Sequence, residues 1–252
     1  MVSVSPEHAR LIKQLATISV LSDEDQAALA ALPLRIKTIG ENRDIIREGS
    51  KPTESCLVLE GLVCRYKMVA GGRRQILSFH LPGDLPDLQS LYLPRMDHSL
   101  AALTPVRVAF IPNEAIRNLI RKHDSLAETL TRRALIDGSI FREWIANVGR
   151  RTALERIAHV MCETYVRMRA LGLGQQDEFE LPLTQTELGD ATGLSNVHVN
   201  RTLQELRRLG VISTIKKVHT IVDWEMLKET ADFDPAYLHL LSTKGEAGRA
   251  AR

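Results

Sequence analysis

Residues 184–213, "TQTELGDATGLSNVHVNRTLQELRRLGVIS", decide the architecture. Thr184 and Glu187 form a capping box ahead of a short helix containing Leu188 and Ala191. Gly193 permits a sharp turn, Ser195 caps a second helix and Gly210 ends it. Two helices joined by a short glycine-containing turn predict a helix-turn-helix, whose second helix enters the major groove of DNA. In that helix Val199, Leu203 and Leu206 fall at helical spacing and form the buried side. Val197, Asn200, Arg201 and Gln204 then face outward. This combination is awkward for water and suited to base edges. Arginine donates a bidentate pair to guanine, asparagine bridges adenine, and a bare valine rests on a thymine methyl. Arg201 is the first base-contact residue, followed by Asn200, Val197, Asn196 and His198. Thr184, Gln185 and Ser195 are expected to touch phosphates. Lys216 and Lys217 join them from "VISTIKKVHTIV", whose alternation predicts a small hairpin wing. Between Asn196 and Val222 five basic residues face Glu205 alone, a net +4. Arg207 and Arg208 read as a solvated helix end favoured by the helix dipole.

The rest of the chain divides around this motif. Residues 1–32 carry short helix-period pieces with Ser22 as an N-cap. From 33 to 124 the pattern shortens into β-rich runs punctuated by Gly49, Gly61, Gly72 and Gly83, at intervals of 12, 11 and 11. Such spacing predicts a β-sandwich or barrel, with a hairpin at Gly71-Gly72. A helix over 125–149 is expected to open on a Ser125–Glu128 capping box and to span about 36 Å. Along it Ala127, Leu130, Ala134, Asp137, Phe141, Trp144 and Val148 keep heptad spacing. That stripe predicts a dimer seam through Leu130, Ala134, Phe141, Trp144 and Val148, with the carboxylate of Asp137 requiring a partner. Leu126, Ile136 and Ile140 form a second stripe for the β domain. Gly149, followed by a Thr152–Glu155 capping box, marks the boundary of a DNA-binding domain over 150–231. A polar loop runs to Glu180, and residues 232–252 read as a tail.

Composition narrows the classes. Of 252 residues, 44% are hydrophobic and 25% charged, as in an ordinary globular protein. Cys56, Cys64 and Cys162 are too few and too scattered for a disulfide framework or a four-thiolate metal site. No apolar leader and no membrane-spanning run is present, so a cytoplasmic protein is expected. No Ser-His-Asp set or phosphate loop points to an enzyme. A cupin-like metal site would need clustered ligands beyond His80 and His98, and no metal is expected.

A glycine-punctuated β-roll, "IIREG" (45–49) and "CLVLEGLVCRYKMVAGGRRQILSFHLPGDL" (56–85), precedes a long helix and a winged helix-turn-helix. This order resembles the Crp/Fnr family of bacterial transcription regulators over nearly the whole chain. The resemblance implies an α+β fold: an N-terminal double-stranded β-roll like the cyclic-nucleotide-binding domain, a long dimerisation helix and a C-terminal winged helix-turn-helix. It implies a homodimer on a palindromic site in double-stranded DNA, modulated by a signal at the β-roll, with RNA polymerase as partner. The alternative is an effector-independent regulator whose β-roll is a scaffold or a protein-interaction module. Cyclic AMP binders of the family carry G-E-L after the PGD turn and then an arginine. Here Pro86, Asp87 and Leu88 stand in that segment, Arg95 lies near the arginine's place, and Asp84 and Asp87 oppose a phosphate. Residues 1–55 hold no cysteine for an iron–sulfur cluster, and His80 and His98 read as ordinary histidines rather than haem ligands. The signal remains unidentified by the residues. In the recognition helix, Val197 stands where many members place a glutamate that reads cytosine.

Overall fold

The computed structural model describes residues 4–173, 178–215 and 218–241. Two short helices, α1 (Pro6–Ala16) and α2 (Asp23–Ala30), open the chain. Ser22 caps α2 through a reciprocal box with Asp25. Seven strands follow: β1 (Arg35–Ile39), β2 (Asp44–Ile46), β3 (Glu54–Glu60), β4 (Val63–Val69), β5 (Arg73–His80), β6 (Ser99–Ala102) and β7 (Val106–Pro112). They form two antiparallel sheets, ordered β1-β7-β3 and β2-β6-β4-β5. Cys56, Val58, Val63, Leu100 and Val108, each fully buried, share one core cluster built from both sheets. Gly71 and Gly72 turn the β4–β5 hairpin with φ of 81° and 72°, a conformation that L side chains resist. Between Arg65 and Tyr66 the pairing skips Leu77, a bulge that adds this side chain to the wall facing the long helix.

Helix α3 (Asn113–Lys122) leads into α4 (Asp124–Arg150), 27 residues and about 40 Å long. The expected Ser125–Glu128 capping box does not form. The helix begins one residue earlier, behind His123, without a side-chain cap. The Ser125 hydroxyl instead donates to Asp25 of α2, and Glu128 accepts from Arg132 at 2.7 Å. Local spacing permitted the box, but a tertiary partner captured Ser125 and a neighbour one turn on in the same helix captured Glu128.

The helix α5 (Ala153–Ala170) starts on the predicted box of Thr152 and Glu155. The C-terminal domain continues with β8 (Glu178–Glu180), α6 (Gln185–Thr192), α7 (Asn196–Arg208), β9 (Ile212–Ile215), β10 (Val218–Ile221) and α8 (Trp224–Thr230). Residues 178–180, read from sequence as the end of a loop, add a third strand to the wing sheet, ordered β8-β10-β9. Residues 232–241, read as tail, pack into the domain core through Phe233 and Leu238. The polar end of the tail, 242–252, lies outside the described residues.

Trp144 and Leu130 correct the expected seam. Trp144 meets Phe79 edge-on at 5.6 Å, and its indole N–H donates to Glu163 at 3.0 Å inside the same chain. Leu130 is buried in an intrachain core cluster that includes residues of α1, α3 and the β-roll. A seam residue must be free for a second copy, and these two are already covered. The exposed side of α4 carries Ala134, Leu135 (68%) and Ile145 (69%), with Phe141 and Val148 half-buried beside them. Ala134, Gly138, Phe141, Ile145 and Val148 keep steps of four, three, four and three, so the free stripe shifts one position in its second half.

Candidate nucleic-acid interface

Helices α6 and α7 are held by their own caps. Thr184 accepts from the Glu187 N–H at 3.2 Å, and its own N–H donates back to the Glu187 carboxylate at 2.7 Å. Gly193 closes α6 in the left-handed region at φ 70°. Ser195 then caps α7 by accepting from the His198 N–H. Val199, Thr202, Leu203 and Leu206 turn inward. Val197, Asn200, Arg201 and Gln204 are exposed on the opposite face, with Val197 81% accessible. Among the described residues no hydrogen bond or ion pair holds the Arg201 guanidinium. A preset face of free donors beside an apolar knob matches the major-groove edges of base pairs.

The other predicted contacts sort by position. Thr184, Gln185 and Ser195 are exposed at the N-termini of α6 and α7, where free backbone N–H groups favour anions. His198 is half-buried. Asn196 is exposed, yet its side chain donates to the Thr186 hydroxyl at 3.1 Å and tethers α7 to α6. Lys216 and Lys217 lie outside the described residues, between β9 and β10. Arg207 bonds the Leu203 carbonyl at 3.0 Å, the solvated helix end that its position predicts.

Sequence reading missed the feature that joins this domain to the β-roll. Arg167 of α5 reaches into the PGD turn and pairs with Asp84 at 2.7 Å, also donating to the Phe79 carbonyl at 3.0 Å. Arg133 of α4 lies 3.5 Å from the same carboxylate and 2.7 Å from Asp137. Asp137 in turn takes Arg65 of β4 at 2.7 Å, which answers its need for a partner. Glu163 completes the set, with Arg167, Trp144 and Tyr237 around it. Arg65, Arg133 and Arg167 thus meet Asp84, Asp137 and Glu163, three charges of each sign in the interior. Burial pushes the Asp84 carboxyl up, but Arg133 and Arg167 outweigh it and hold the group well below the usual range. Burial also raises Asp137, and Arg133 and Arg65 bring it down to about 2. Only the i,i+4 pairs Arg133–Asp137 and Glu163–Arg167 were visible in the sequence. A second contact joins the domains where Arg74 of β5 pairs with Asp190 of α6 at 2.7 Å.

Between the β-roll and α4 lies a cavity of about 640 Å³, a ligand-sized volume. Leu77, Leu88, Leu91, Leu130 and Phe141 give it apolar walls, and His98 and Arg65 are its buried polar groups. His98 donates from Nδ1 to Asp97 at 2.8 Å in the tautomer that lets Nε2 accept from Gln89 at 3.3 Å. A cyclic phosphate does not fit these residues. Arg65 is already neutralised by Asp137, and Arg95 is exposed, donating to the Gly49 carbonyl at 3.3 Å. Asp87 is buried beneath the turn, where it accepts from the Cys56 N–H at 2.9 Å, and burial pushes its carboxyl up to about 7. The three thiols are buried, and burial raises Cys64 and Cys162 to about 12 and Cys56 well above its usual value, which opposes thiolate chemistry. His80 is packed between Ser78 at 2.9 Å and Asp84 at 3.5 Å. Among the described residues no three His, Cys, Asp or Glu side chains converge as metal ligands, and no helix is long and apolar enough to cross a membrane.

Two family models match the chain: a Crp-like helix-turn-helix domain over residues 155–230 and a cyclic nucleotide-binding domain over 36–123. The nitrogen fixation regulation protein FixK of Bradyrhizobium diazoefficiens is 31% identical over 166 residues, covering 66% of this chain and 69% of the relative. An anaerobic regulatory protein of Haemophilus influenzae is 28% identical over 86% of this chain and 84% of its own length. The solved structure of FixK2 from Bradyrhizobium japonicum shares the fold, with a TM-score of 0.71 and 23% identity over 79% of this chain and 98% of that one. The chain belongs to the Crp/Fnr family of transcription regulators.

Proposed function

We propose that this regulator works as a homodimer that reads a palindromic site in double-stranded DNA, with one α7 in each of two major grooves. The observation that carries the reading is the free Val197, Asn200 and Arg201 face of α7, preset by caps on both helices. Two copies meet along α4 through Ala134, Leu135, Phe141, Ile145 and Val148. Thr184, Gln185, Ser195 and the wing lysines Lys216 and Lys217 set the register on phosphates. The setting is the cytoplasm, and RNA polymerase is the partner that converts DNA occupancy into transcription. The signal acts at the cavity between the β-roll and α4, where it bears on the ion cluster that leads to α5.

A second reading has a specific support. Because the cluster already ties β4, the PGD turn, α4 and α5 together, the β-roll can hold the DNA-binding domain without a ligand. Selection of bound duplexes from a random library, with purified protein and no added metabolite, tests both. A palindromic motif that vanishes with Arg201→Ala supports the dimeric base reader. Its recovery without a metabolite favours the scaffold reading or a signal that switches binding off. No motif, with salt-sensitive background binding alone, would mean that the resting protein does not read sequence.

A further inference from the structure

The same face of α7 carries a narrower assignment, which rests on the base-reading role proposed above. Val197 sits on the first turn, 81% exposed, with Asn200 and Arg201 following at i+3 and i+4 on one side of the helix. A β-branched side chain in a helix has one strongly preferred χ1, so Val197 presents a stiff apolar knob. It neither donates nor accepts. Its neighbour Asn196 is engaged by Thr186 at 3.1 Å and leaves the base-reading to the next turn. Asn200 and Arg201 carry the amide and guanidinium that match adenine and guanine edges. Glu205 is the one acid on α7, two turns further on, so the turn that carries Val197 has no carboxylate of its own to accept from a cytosine amino group. Thymine is the standard base that offers an apolar group, its C5 methyl, in the major groove.

We infer that Val197 reads the C5 methyl group of a pyrimidine, not its hydrogen-bonding edge. Thymine and 5-methylcytosine then satisfy the contact, while uracil and unmodified cytosine do not. Recognition at this base pair is thereby sensitive to cytosine methylation, since the valine has no means of distinguishing O4 of thymine from N4 of 5-methylcytosine.

The test starts from the duplex selected by the wild-type protein. Each thymine of the half-site is replaced singly by uracil, and affinities of the wild type and Val197→Ala are compared. At one position per half-site uracil is expected to weaken wild-type binding about fourfold, the weight of one buried carbon. There 5-methylcytosine paired with guanine should bind better than unmodified cytosine by a similar factor. Both differences should collapse in Val197→Ala, whose exposed site leaves the thermal midpoint unchanged. A selected motif in which no thymine methyl matters, or equal losses in both proteins, would overturn the inference and leave the base-reading role standing. Absence of any selected motif, both without and with added small-molecule cell extract, would overturn both.

Discussion

The exposed face of α7 and the buried cluster at the PGD turn use the same guanidinium chemistry for opposite ends. On α7, Arg201 is free in water, so its hydrogen-bonding capacity remains for a partner. At the turn, Arg65, Arg133 and Arg167 are desolvated and matched by Asp84, Asp137 and Glu163, so their charges are already compensated inside the molecule. The difference separates a reading surface from a joint. Removing one member of a compensated buried set strands its partners, whereas removing Arg201 deprives only the ligand.

The largest expected effect comes from breaking the joint. Asp84→Ala leaves Arg167 and Arg133 short of a counter-charge, and urea unfolding should show a loss of about 3–5 kcal/mol. A loss below about 1 kcal/mol would show that the cluster does not hold the domains. Next is pH. Asp87, raised to about 7 by burial, keeps its proton in the folded chain, while the unfolded carboxyl releases it near about 3.9. Its contribution is therefore full in acid and is lost as pH rises toward 7. Asp87→Asn keeps a neutral group at every pH, so stability measured from pH 5 to 8 should shift in the variant's favour by on the order of 2–3 kcal/mol. Parallel curves for the two proteins would contradict this.

Ile145→Glu probes the free stripe of α4. It should weaken self-association by about 1.5–3 kcal/mol in sedimentation equilibrium, the value of one large apolar side chain. An unchanged monomer–dimer equilibrium would move the seam elsewhere. The smallest effect sharpens the contrast within α7 itself. Asn196→Ala should cost about 0.5–1.5 kcal/mol of stability through its lost bond to Thr186 and leave the selected DNA motif intact. A changed motif would return Asn196 to the base readers.

The two regions also differ in how far the sequence disclosed them. The α7 face was legible because a 3.6-residue period separates Val199, Leu203 and Leu206 from Val197, Asn200 and Arg201 within one short helix. The Thr184, Ser195 and Thr152 caps were legible for the same reason, being decided within three residues. Ser125 matched the capping pattern equally well and failed because Asp25, a hundred residues earlier, competes for its hydroxyl. Arg167 and Asp84 stand 83 residues apart, and no local rule pairs them. Heptad spacing selected Trp144 as a seam residue, although Ile145 keeps the same three-and-four steps from Phe141 to Val148. Packing against Phe79 and Glu163 settled which of them turns inward.

The most direct measurement is the ratio of affinities for the selected palindromic duplex and a scrambled one, for wild type and Arg201→Ala at two salt concentrations. A bidentate guanine contact carries about 1–3 kcal/mol of discrimination. The ratio should therefore fall about tenfold or more per half-site in Arg201→Ala, while binding to the scrambled duplex changes little. An unchanged ratio, with both duplexes weakened equally, would make Arg201 a phosphate contact and contradict α7 as the surface that reads sequence.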